Sequence, residues 1–212
     1  MALRVALVVV AFAGPPAFGA VSRLLFGATP ALTTRYALQL AYCALAFGFI
    51  CAALRLERLP ASALGIRRPT ILTPVLAAAL LAVSLVVLPL ITSPLVQRLG
   101  ADGLNAGVQQ LAVLPLWLRV VVGMTGGAIE ETLYRGYALG RLEALTGRPW
   151  LAAVLVIAGF TLAHVPFWGT VYTLVAVLPF GLMMTIAYVW RRDLIANIIA
   201  HSGALVVGLW GI

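Results

Sequence analysis

The sequence predicts an all-α, polytopic transmembrane helix bundle of about seven spans, and three observations carry that prediction. Of its 212 residues, 63% are hydrophobic and only 9% charged, with a mean hydropathy of +1.10. A soluble domain is about 45–50% apolar and roughly 25% charged, so too little polar surface remains here to cover a water-soluble body; a bilayer fits instead. Second, apolar runs long enough to cross about 30 Å of hydrocarbon alternate with short breaks carrying Arg, Gly or Pro. Third, the net charge of +8 comes from Arg alone, with no Lys, and the Arg residues are scattered between apolar runs. That spacing reads as membrane topology rather than a nucleic-acid patch, so lipid is an expected partner and nucleic acid is not.

The spans are expected at about 5–26, 36–54, 71–92, 112–134, 151–167, 171–190 and 194–210, within one membrane-embedded domain covering residues 1–212. In the first, Arg4 and the apolar run after it resemble a signal peptide. Apolar character resumes through Val21 and Leu24–Phe26, however, which favours a retained helix that tolerates Gly14-Pro15-Pro16 by packing against neighbours. Cys43 and Cys51 lie in the second span, about 12 Å apart along a helix, too far for a disulfide. The break at 93–111 contains Asp102, Gly103, Asn105 and Gly107 and reads as a polar loop. Alternating loops gather Arg4, Arg55, Arg58, Arg67, Arg68, Arg135, Arg141, Arg148, Arg191 and Arg192 on one side, leaving Arg23, Arg35, Arg98 and Arg119 towards the other. The positive-inside rule then places the amino terminus in the cytoplasm, in a cytoplasmic (inner) membrane.

Polar groups at membrane depth mark the candidate site. A carboxylate there costs about 2.5–3.5 kcal/mol on insertion scales, yet Glu130 and Glu131 follow an apolar run in GMTGGAIEETLYRGYALGR, with no Pro to stop the helix. Neighbours on a helix point about 100° apart, so the two serve different directions. Glu131 and Arg135, at i and i+4, suit an ion pair. Glu130 is left free to act on water as a general base, and Gly123, Gly126 and Gly127 allow close approach of another helix or a peptide. The only two histidines, His164 and His201, both fall within spans. Counting about 1.5 Å per residue puts Glu130, His164 and His201 within roughly one or two turns of a common depth. Two His and a Glu fit a divalent metal such as zinc with an open position for water. They equally fit a metal-free site in which Glu130 activates water while His and Asn stabilise the oxyanion.

These residues resemble a known family. EETLYR matches EExxxR, Phe160 to His164 matches FxxxH, and His201 stands where a last-helix HxxxN motif begins. The order and spacing are similar to the CPBP (CAAX protease and bacteriocin-processing) intramembrane proteases, which include the type II CAAX prenyl endopeptidases. LGIRRP at Leu64–Pro69 and Gly181 also resemble that family, so the likeness covers about 60–210. It implies intramembrane hydrolysis of a peptide or lipidated protein, with Glu130, His164 and His201 catalytic and Glu131, Arg135 and Phe160 supporting. One position departs: Leu205 stands four after His201, where the family has Asn or an acidic residue. Asn197, four before His201 on about the same face, offers a substitute or simply a bond to a neighbouring helix. Two further classes fit the composition: a non-catalytic scaffold or bacteriocin self-immunity protein, which Leu205 favours, and a proton-coupled transporter using buried Glu and His. The sequence leaves the oligomeric state open.

Overall fold

Without water in hydrocarbon to satisfy N–H and C=O groups, the chain must close its backbone hydrogen bonds within each segment, and it does so as helices. The structure is a computed structural model describing residues 1–100 and 111–210. Among the described residues there are seven membrane-scale helices and no strand. They are α1 (Ala2–Phe26), α2 (Leu32–Leu56), α3 (Leu72–Arg98), α4 (residues 116–146), α5 (Pro149–Trp168), α6 (Thr170–Arg191) and α7 (Leu194–Trp210). Five of these, α1, α2, α3, α5 and α6, are long and apolar enough to cross a membrane; α7 is apolar but shorter. The expected polar loop residues Asp102, Gly103, Asn105 and Gly107 lie outside the described residues.

Local sequence explains the irregularities. In α3 and α6 a π-helical stretch (Val83–Val87, Thr173–Val177) precedes Pro89 and Pro179. A proline removes one N–H and its ring crowds the carbonyl four residues back, which a wider turn accommodates. In α1, Pro15 and Pro16 lie inside the helix; Pro16 leaves the Phe12 carbonyl without its helical donor, and the Tyr134 hydroxyl points at it from 3.5 Å. α4 is the central element and runs farther than the span expected at 112–134. It is α-helical over Leu116–Glu130, π-helical over Glu131–Leu139 and α-helical again to Thr146, ending at Gly147 with φ 65.

Hydrogen bonds tie the helix ends into two opposite layers. At one end Glu57 accepts from Arg4 (3.2 Å), Arg141 (3.3 Å) and the Tyr137 hydroxyl. Arg192 pairs with Glu143. Asp193 caps α7 through the Ala196 N–H (3.0 Å) and accepts from Thr73 (2.7 Å). Gly65 in LGIRRP is left-handed (φ +79), and a Cβ there would sit 2.5 Å from the Tyr188 hydroxyl, which donates to the Leu64 carbonyl. At the opposite end Arg119 donates to the carbonyls of Leu114 (2.8 Å) and Leu209 (3.3 Å), and Tyr36 packs on Trp117. The helices therefore alternate direction as the seven-span reading requires. Large apolar side chains such as Leu24, Leu40 and Phe47 point outward, as they should where the surroundings are lipid.

Candidate active site

Glycines set the approach of α4 to α7. A Cβ at Gly127 would lie 2.6 Å from the Ser202 amide nitrogen, and one at Gly123 would lie 3.0 Å from that of Val206. Only glycine permits this spacing, and Ser202 uses it to donate to the Met124 carbonyl (2.9 Å). The contact brings His201 beside the Glu pair.

The two glutamates divide as their helical directions require. Glu131 is fully buried, and both of its oxygens accept hydrogen bonds. Oε1 accepts from Arg135 Nη1 and from His201 Nδ1, each at 2.9 Å, and Oε2 accepts from Asn197 Nδ2 at 3.0 Å. Arg135, also fully buried, donates further to the Gly181 carbonyl (3.0 Å) and Thr185 Oγ1 (3.2 Å) and stacks 4.2 Å over the Phe160 ring. An ion pair taken out of water survives only when its remaining donors and acceptors are met, and here they are. Arg135, which the loop-charge reading assigned to the Arg-rich face, is therefore part of the interior and no topology signal.

Glu130 points the other way. Its side chain is 22% exposed, to a cavity rather than to lipid. Its Oε2 lies 3.5 Å from His164 Nε2 and 3.8 Å from His201 Nε2, and it is buried without a well-formed hydrogen bond. Both rings are oriented from behind: His164 Nδ1 donates to the Phe160 carbonyl (2.7 Å) and His201 Nδ1 to Glu131. That leaves both Nε2 atoms aimed at the same carboxylate oxygen. Phe160 packs beside His164, ring centroids 4.4 Å apart and tilted by 45°, so the one-turn spacing places it where the sequence suggests. Gly181 gives that ring its room, since a Cβ there would come within 2.8 Å of Phe160.

Asn197 is fully buried and spends its amide on Glu131 and the Met184 carbonyl (2.9 Å). It braces the brace and does not reach the cavity. Leu205 does: it lines both cavities that flank the histidines. One, of about 360 Å³, includes Pro15, Tyr42 and Tyr134 with Glu130; the other, of about 210 Å³, includes Ser84, Tyr172 and Phe180. Sequence reasoning did not select Tyr42, Tyr134, Thr185 or Phe180, whose ring lies 4.7 Å from His201. No periodicity distinguishes them from ordinary core and lipid-facing residues.

Residues 112–207 match the family described as type II CAAX prenyl endopeptidase Rce1-like. Over these residues the chain is similar to that family. The CAAX-endopeptidase match takes in α4 to α7 and so every residue of the Glu130–His164–His201 cluster and its brace. LGIRRP, α1, α2 and α3 lie outside it, although α1 and α2 wall the larger cavity and α3 the smaller. No curated protein and no solved structure matches the chain.

Proposed function

We propose that the protein is an intramembrane endopeptidase that hydrolyses a peptide bond of a membrane-associated substrate with water activated by Glu130. The observation that carries this reading is the orphaned Glu130 oxygen, buried beside a cavity and facing two oriented imidazoles. An anionic oxygen facing two imine lone pairs is repulsive unless a proton lies among them, so the trio is arranged to hold and pass one. A water in the cavity gives its proton to Glu130 as its oxygen attacks the scissile carbonyl carbon. The resulting oxyanion is met by a histidine Nε2–H, and Glu130 returns the proton to the leaving amine nitrogen. Glu131, Arg135 and Asn197 act through His201, holding its ring in place; Phe160 does the same for His164.

Two His and a Glu are the donor types of a catalytic zinc site. Their placement is slightly wider than one requires. Donors sharing a tetrahedral zinc at about 2.0–2.1 Å lie roughly 3.3–3.4 Å apart, whereas Glu130 stands 3.5 and 3.8 Å from the two nitrogens. Among the described residues no group of three His, Cys, Asp or Glu is arranged to hold a metal.

The partners in this reading are membrane lipids and a peptide or lipidated protein; the family description names prenylated CAAX tails. The setting is an inner membrane with the amino terminus in the cytoplasm, supported by nine arginines at the Glu57 end against four at the other. Leu205 favours a second reading, a non-catalytic scaffold or immunity protein, because leucine cannot donate to an oxyanion. The deciding experiment is cleavage of a lipidated reporter peptide in proteoliposomes, with and without chelator and with metal content measured. Loss of cleavage in Glu130→Gln and His164→Ala is expected; wild-type rates in both would refute the hydrolytic reading. Chelator-resistant activity in metal-free protein is the companion expectation.

A further inference from the structure

Hydrolysis asks for more hydrogen-bond donors than the histidines supply. His164 and His201 each spend Nδ1–H on a fixed acceptor, the Phe160 carbonyl and Glu131. Each Nε2 is therefore a bare lone pair unless its ring is charged, and both face the same Glu130 oxygen. A single proton among the three groups gives at most one Nε2–H to meet an oxyanion. Leu205, one turn beyond His201, lines both flanking cavities and adds no donor. Of the neutral donors that α4 to α7 bring to the Glu130 cavity, the Tyr134 hydroxyl points at the Phe12 carbonyl from 3.5 Å. The Trp168 indole is packed against Phe167 and Tyr172. The Tyr42 hydroxyl is unspent. Tyr42, on α2, lines the same cavity, and its hydroxyl has no hydrogen-bond partner among the described residues. Its ring packs against Phe18 of α1, with 5.3 Å between centroids. Gln39, one turn earlier, donates to Thr125 Oγ1 at 2.8 Å and sets the register of α2 on α4. These two helices run the same way. Tyr42, three residues past that bond, and Glu130, five past it, therefore differ in depth by only about 3 Å. The hydroxyl lies within electrostatic reach of the Glu130 carboxylate.

We propose that Tyr42 is a further catalytic residue, whose hydroxyl donates a hydrogen bond to the oxyanion formed when water attacks the scissile carbonyl and so supplies the donor that Leu205 lacks. This deepens the hydrolytic reading and rests on it. Tyr42 keeps its proton throughout; the proton that Glu130 takes from water still passes to the leaving amine nitrogen. A phenol suits the task because it donates while neutral, without drawing on the proton held by the Glu130–His164–His201 trio. Residue 42 lies outside the matched residues 112–207, so the oxyanion site is completed by a helix that the family likeness does not reach.

The test is Tyr42→Phe in the full chain, which removes the hydroxyl and keeps the ring that packs on Phe18. In proteoliposomes, kcat for the lipidated reporter peptide is expected to fall about 10²-fold, the loss that follows removal of one oxyanion donor. KM and the thermal midpoint should not change, whereas a ring that only shapes the cavity would move one of them. A phosphinic analogue of the reporter mimics the tetrahedral oxyanion and should bind Tyr42→Phe roughly tenfold or more weakly than wild type. The uncleaved reporter should bind Glu130→Gln equally with and without Tyr42→Phe. Leu205→Asn should raise kcat by a larger factor in Tyr42→Phe than in wild type, because there it restores the absent donor. Wild-type kcat in Tyr42→Phe, an effect confined to KM, or equal affinity for the phosphinic analogue overturns the proposal. Glu130→Gln cleaving at the wild-type rate refutes the hydrolytic reading and takes the Tyr42 role with it. An inactive Glu130→Gln beside an unimpaired Tyr42→Phe removes the Tyr42 role alone.

Discussion

Two adjacent carboxylates with opposite roles give opposite responses to the same one-atom change. In Glu131→Gln an acceptor oxygen becomes an NH₂ group where three donors converge, from Arg135, His201 and Asn197. Asn197 alone could turn its amide to suit, but doing so forfeits its bond to the Met184 carbonyl. Arg135 keeps the Gly181 carbonyl and Thr185, yet its buried charge loses the one carboxylate that touches it among the described residues. Breaking a buried pair by neutralising one partner costs about 3–5 kcal/mol. At about 2–4 °C per kcal/mol for a chain of this size, the thermal midpoint should fall by roughly 6–20 °C.

Glu130→Gln behaves differently. Its Oε2 is buried with no formed hydrogen bond, a state that costs about 1–3 kcal/mol or more for a charged group. An amide there can donate to an imidazole Nε2, so stability should hold or rise by up to about that amount while cleavage is lost. Thermal unfolding of both variants in the same detergent, beside proteoliposome cleavage, is the assay. Equal destabilisation of the two would refute the division into brace and base.

Leu205→Asn places a donor one turn beyond His201 on both cavities; an oxyanion donor is worth about 10²–10³ in kcat, so reporter cleavage should rise by tenfold or more with KM little changed. Gly181→Ala drives a methyl into Phe160, 2.8 Å away; overpacking of about 1–3 kcal/mol and a slower reporter turnover are expected, read by unfolding and by kcat. Asp193→Ala removes the α7 cap and the Thr73 bond, costing about 0.5–2 kcal/mol in thermal unfolding without a change in KM.

How far the sequence reached depended on which residues were out of place in lipid. Seven spans were legible because composition and length suffice where backbone must be helical. Glu130, Glu131, Arg135, His164 and His201 were legible because ionisable groups at membrane depth demand partners, and the structure brings all five together. Asn197 drew notice for its face of the helix, but that face is shared by brace and cavity, and only the packing of α7 on Gly127 decides which one it meets. The cavity walls were beyond reach for a different reason. In water, a core-facing stripe separates from a polar face; in a bilayer Tyr42, Leu205 and Phe47 are equally at home facing lipid, a cavity or the core, so hydropathy carries no mark of which side is open.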